Sequence, residues 1–194
     1  IYIERFIFSC KITFVIDSLK EIDYFMQQFQ KGDPVVYGNN GVCLIEGIEK
    51  LRYSSSSPAQ SYYILNPVDH SSKIFLPIKN EDLTKKIRPI IKRQEIEDIL
   101  TGATGEKIDW IEDKNERNAC FSKIIRECIP QKLICMVRCI FLRKRNLQKD
   151  GKKISSTDET VLKSAEKLIR EEISYSLEIA PEKVDSYIRS VVNA

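Results

Sequence analysis

The feature that most constrains this chain is a change of hydrophobic period near residue 92. From Phe29 to Ile91 the pattern is that of short strands. Gly32-Asp33-Pro34 is a turn, and Val35-Val36-Tyr37 a short apolar stretch. Gly38-Asn39-Asn40-Gly41 is a hairpin signal, because Asn and Gly accept positive φ. Val42–Leu51 alternates in part, Tyr62–Leu65 and Lys73–Ile78 read as strands, and Ile87–Ile91 as a fifth. Tyr53–Gln60 is a polar loop. Five short strands in so few residues predict a small, strongly bent sheet or barrel. From Lys92 onward the period is helical. Helices are expected over Arg93–Leu100, over Trp110–Cys128, from Pro130 to the basic stretch 148–153, behind a Ser156-x-x-Glu159 capping box, and from Pro181. Leu133, Ile134, Val137, Ile140 and Phe141 are read as the buried face of the third.

Composition removes several classes. The 194 residues are 42% hydrophobic and 30% charged, an ordinary globular balance. No apolar run approaches the roughly 18 residues of a membrane span. A single His and the absence of CxxC pairs argue against a zinc site and against Ser–His or Cys–His catalysis. Cys120, Cys128, Cys135 and Cys139 are expected as small apolar side chains on helical stripes. Asp109, Glu112, Asp113 and Glu116 share a helix face without an evident metal or substrate partner, and Thr101–Gly105 lacks a P-loop Lys. No catalytic residue, cofactor or metal is expected.

The formal net charge of +3 conceals a segregation. Residues 132–153 hold eight basic residues and one acidic, while the helical stretches on either side are acidic by two and three charges. A helix end and loop this basic inside a near-neutral domain is a candidate phosphate-binding surface. It is also compatible with a solvated helix C-terminus.

The opening Phe29-Gln-Lys-Gly32-Asp33-Pro-Val35-Val36-Tyr37-Gly-Asn-Asn-Gly41 resembles the CarD/CdnL family of bacterial transcription regulators. It is also similar to the RNA-polymerase-interacting domain of the transcription–repair coupling factor. Tyr62-Tyr63-Ile64-Leu65, Ile74-Phe75-Leu76-Pro77, Trp110, Met136-Val137-Arg138, Arg143-Lys144-Arg145 and the Ser156-x-x-Glu159 helix follow in the family's order. The resemblance spans roughly Phe29 to Ile179.

What it implies is an α+β protein of two domains: a Tudor-like or SH3-like β-barrel over residues 26–91 and a helical bundle of about five helices over 92–194. Residues 1–25, ahead of the first Met, are expected to lie outside the working fold, as translated upstream sequence. The barrel would bind the RNA polymerase β subunit by strand pairing at a sheet edge. The helices would contact promoter DNA and stabilise the open complex, with Trp110 as a wedge at the melting junction. No reaction would be catalysed. The resemblance further implies a cytoplasmic monomer without membrane or small-molecule substrate. The DNA-contacting candidates are Trp110, Lys114, Arg117, Arg138, Arg143, Lys144 and Arg145. Glu112 and Asp113 stand where relatives are commonly basic, which shifts the phosphate contacts toward the later arginines. The polymerase-contacting candidates are Arg52, Lys73 and Phe75; Phe75 stands where the family often has Arg, and Lys73 on the same strand face could substitute. The first rival is an interaction module that binds polymerase or another partner but not DNA; the second is an enzyme of unrecognised type, which a deep pocket lined by convergent polar groups would support.

Overall fold

The computed structural model describes residues 29–52, 58–69, 72–102 and 107–192. The expectations for residues 1–25, and those touching 53–57, His70 and Gly105, lie outside the described residues.

Five strands form one antiparallel sheet: β1 (Pro34–Tyr37), β2 (Val42–Leu51), β3 (Gln60–Pro67), β4 (Ile74–Pro77) and β5 (Ile87–Pro89), in the order β4-β3-β2-β1-β5. A short helix, α1 (Glu81–Thr84), precedes β5. The expected strands are all present, but β4 and β5 share no ladder, so the sheet is bent and open rather than a closed barrel. The bend has a local cause. Ile45 pairs with Leu65 and Gly47 with Ile64, which leaves Glu46 as the extra residue of a β-bulge. Such a bulge increases twist and curvature.

Period-two alternation sends the sheet's side chains into two cores. Val35, Tyr37, Cys43, Ile45, Tyr63, Leu65, Leu76 and Ile87 line one side and pack on one another with Phe29. Val36 and Val42 face the other way and join the helical core, with Phe121, Met136, Ile140, Leu162 and Leu168. Each such buried aliphatic side chain contributes roughly 1.5–3 kcal/mol. The two halves therefore meet through a shared apolar layer.

The helical half comprises α2 (Arg93–Leu100), α3 (Lys114–Glu127), α4 (Pro130–Lys149), α5 (Ser156–Leu177) and α6 (Pro181–Val192). Three details differ from the sequence reading. α3 begins at Lys114, not Trp110: Asp113 is its N-cap and accepts from the Glu116 N–H at 2.8 Å. Asp113 has an extended backbone, with ψ at 124°, so the helix does not run back through it, and the carbonyls of Ile111 and Glu112 accept from a side chain instead. The cap of α5 is Ser155, whose Oγ accepts from the Asp158 N–H at 3.1 Å, one residue earlier than expected. Phe141 is 56% exposed rather than buried.

A buried polar cluster locks the halves together, and Lys167 on α5 adds an ion pair to Asp69 at 2.9 Å. Arg88 on β5 donates to both carboxylate oxygens of Glu172 on α5 and, through Nε (3.1 Å) and Nη2 (2.7 Å), to the Cys128 carbonyl that ends α3. Glu172 Oε1 also accepts from the Ile91 N–H at 3.0 Å. Only 4% of Glu172 is exposed, so these bonds replace the hydration lost on burial. The hairpin turn also approaches α5 closely. Gly41 has a φ of +70°, and a Cβ there would lie 2.6 Å from Glu171 Oε2 and 3.3 Å from a Leu168 methyl.

Candidate functional site

Trp110 sits in the extended segment before α3, half-buried. Its ring meets Phe121 edge to face, with centroids 6.3 Å apart. Two guanidiniums lie over the indole, Arg117 at 4.4 Å from the centroid and Arg143 at 5.2 Å. Such cation–π contacts contribute roughly 0.5–2 kcal/mol each.

Arg117 organises this corner. It is 6% exposed and forks onto Asp158, with Nε–Oδ1 at 3.1 Å and Nη2–Oδ2 at 3.3 Å. Its Nη1 donates to the Ile111 and Glu112 carbonyls, at 2.7 and 3.0 Å. Ser155 Oγ in turn donates to Asp158 Oδ2 at 2.7 Å. The guanidinium thus fixes the two residues after Trp110 and covers the ring. Most of its donors are thus taken up inside the protein, and little of the side chain is exposed. The indole N–H itself is buried with no acceptor among the described residues.

The other candidates divide by what already holds them. Arg143 reaches Glu112 at 3.3 Å, and Lys144 reaches Glu159 at 3.0 Å. Lys114, Arg138 and Arg145 are exposed and have no ion pair among the described residues. Arg138, Phe141, Leu142 and Arg145 recur at helical spacing on the outward face of α4, where Phe141 is 56% and Leu142 49% exposed. The sequence carried a signal for this pair. Ile140-Phe141-Leu142 is a run of three, and consecutive helical positions diverge by about 100° each, so one core cannot cover all three. Only Ile140 is buried.

On the sheet half, Phe75 is 52% exposed on the edge strand β4, opposite Ile64. Lys73 is held by Glu46 from the bulge at 2.6 Å. Arg52 is exposed just past the end of β2. Lys73 and Phe75 are two residues apart at β4, but Arg52 is not brought to them. Ile74 pairs with Leu65 and Leu51 with Gln60, so Lys73 and Arg52 sit about seven residues apart along β3. That is roughly 23 Å at strand rise.

The cysteines behave as apolar side chains. Cys128 and Cys139 are buried, Cys120 and Cys135 partly so. Burial pushes the Cys128 thiol up to about 11, which leaves it uncharged at neutral pH. Among the described residues no three His, Cys, Asp or Glu are grouped to hold a metal, and no helix is long and apolar enough to cross a membrane.

An open, bulged antiparallel sheet, with Phe75 on an edge strand, fused to C-terminal helices defines an α+β protein. Residues 29–91 match the family model of the CarD-like/TRCF RID domain, so this chain carries a CarD-like RNA-polymerase-interacting domain over that third of its length. A comparison with curated proteins gives no match.

Proposed function

We propose that this chain is a bacterial transcription regulator that joins RNA polymerase to promoter DNA and acts by binding alone, without catalysis. The sheet half would take the polymerase β subunit through the free edge of β4, where main-chain groups pair and Phe75 adds apolar contact. The helical half would meet the DNA at the upstream edge of the bubble. The observation that carries this reading is Trp110: a half-buried indole fixed under Arg117 and Arg143, in the same helical half as exposed Arg138 and Arg145, which have no ion pair among the described residues. A flat ring already fixed in orientation loses little freedom when it slides beside an unstacked base step. If the wedge fits only the melted junction, it shifts the closed-to-open equilibrium by its differential affinity. About 1.4 kcal/mol corresponds to a tenfold shift. The protein would work in the cytoplasm.

Trp110→Ala tests the proposal. Open promoter complexes should lose lifetime severalfold while polymerase binding stays unchanged. An undiminished lifetime with a folded variant sinks the wedge. One observation favours a second reading, an interaction module that does not touch DNA: the exposed Phe141 and Leu142 suit a protein partner better than phosphates. Under that reading Arg138→Glu with Arg145→Glu would leave DNA retention untouched.

A further inference from the structure

At the joint between the halves, away from the Trp110 corner, lies an open cleft of about 600 Å³. One wall is the hairpin turn with Asn39 and Asn40, together with Lys85 and Lys86 ahead of β5; the other is the C-terminal part of α3, with Lys123 and Arg126. The walls nearly touch at the base, where a Cβ on Gly38 would stand 3.2 Å from the Arg126 carbonyl oxygen. This volume falls in the ordinary range for a small-molecule site, about 300–1,000 Å³.

The charge of the cleft is lopsided. Five cations line it, counting Arg88, against the single carboxylate of Glu127. Arg88 is committed to Glu172, outside the cleft. Glu127 is held by Lys132 at 2.9 Å, with Lys123 farther away at 3.8 Å. Lys85 has only an exposed contact to Glu81 at 3.4 Å, of the kind that contributes little. Lys86 and Arg126 are exposed and have no carboxylate within ion-pair reach among the described residues. A helix C-terminus accounts for Arg126 by itself. It does not account for Lys85 and Lys86, which arrive from the sheet half and converge on the same space.

We propose that this cleft binds a compact polyphosphate, free or carried on a nucleotide. Several cations of both types around one concavity suit an anion with more than one phosphate: Arg126 offers a planar fork, the lysines mobile point charges. The Asn39 side chain, exposed on the rim, offers an amide donor. Because the ligand would touch both halves, it would stabilise their docking by mass action. The site is separate from the wedge and does not depend on that reading. Arg117 and Arg126 are nine residues apart on α3, about 13 Å along its axis.

The test uses the full chain and sodium tripolyphosphate, titrated calorimetrically at low salt, with ATP as competitor. Saturable one-to-one binding that ATP displaces is expected. Lys86→Glu with Arg126→Glu should weaken it at least tenfold, with the far-ultraviolet spectrum unchanged. Arg138→Glu with Arg145→Glu, on the outward face of α4, should change it less than twofold. The proposal is overturned by absence of saturable binding, or by equal weakening in both double variants, which would mean diffuse attraction to a basic protein. It is also overturned if the Lys86/Arg126 variant loses only affinity for a short DNA duplex, which would make the cleft a nucleic-acid surface.

Discussion

The corner around Trp110 and the outward face of α4 are built from the same side-chain types, arginines beside large apolar groups, and they are organised in opposite ways. In the corner every guanidinium is engaged: Arg117 with Asp158 and two carbonyls, Arg143 with Glu112, both over the indole. On the α4 face Arg138 and Arg145 are held by nothing among the described residues, and Phe141 and Leu142 stand in solvent. The first arrangement fixes a shape; the second offers charge. A count of basic residues treats the two alike, whereas burial separates an arginine that positions a neighbour from one that can meet a partner.

The largest effect expected from this contrast is at Asp158. Removing one member of a buried ion pair leaves the other charge uncompensated, at a cost of about 3–5 kcal/mol. Asp158→Ala should therefore destabilise the chain by that order in urea unfolding, and should also free the Ile111–Glu112 carbonyls as Arg117 shifts. The paired change Arg117→Met with Asp158→Leu should cost clearly less than Asp158→Ala alone, because no charge is left behind. A loss below about 1 kcal/mol for Asp158→Ala would break the comparison, since the corner would then be no more organised than the α4 face.

A smaller effect, dependent on pH, is expected where the hairpin turn meets α5. Burial, and then Asp69 beside it, raise Glu171 to about 7. A carboxyl raised in the folded state binds more protons there than in the unfolded chain between its ordinary value of 4.5 and about 7. Stability then falls as pH rises through that window and levels off above it. Glu171→Gln removes the cost of charging, so it should stabilise the protein at pH 8 by roughly 1–3 kcal/mol. The gain should vanish below about pH 4.5, where wild-type Glu171 is already neutral. A gain that persists unchanged at acid pH would assign the effect to packing against Gly41 instead.

How far the sequence reveals this structure depends on whether the deciding interaction is local. The strands, the hairpin turn, Pro130 and Pro181 at helix starts, and Gly102 after α2 are written in near-neighbour chemistry, and they stand where the pattern puts them. The N-terminal half of the motif, Gly32 through Gly41, falls inside the matched domain. Barrel closure is not local. It depends on how far one bulge at Glu46 bends β2, and β4 and β5 end without a ladder. Arg117 shows the same limit at the candidate site. Its partner Asp158 is 41 residues away, so spacing along α3 places it near Trp110 but cannot say that its donors are spent. Arg88 and Glu172, 84 residues apart, left no trace in the pattern at all. Phe141 was legible in principle, but its fit to the stripe of Val137 outweighed the run that argued against it.

The smallest change in stability, and the most direct check on the α4 face, is expected from Arg138→Ala with Arg145→Ala. Neither side chain has an ion-pair partner among the described residues, so unfolding should move by less than about 0.5 kcal/mol. If these arginines meet phosphates, DNA binding should weaken across all sequences alike. The slope of log K against log salt should then fall by about 1.8, since each phosphate contact contributes about 0.9. Loss of affinity with an unchanged slope would mean that the arginines act through a fold change or a protein contact. The same double change should leave the stacking of Arg117 on Trp110 intact, because that guanidinium is anchored from α5 rather than α4. Trp110 fluorescence in the free protein should thus be that of wild type. A shifted emission would show that the free charges and the fixed corner are coupled after all, and that the two arrangements are one surface.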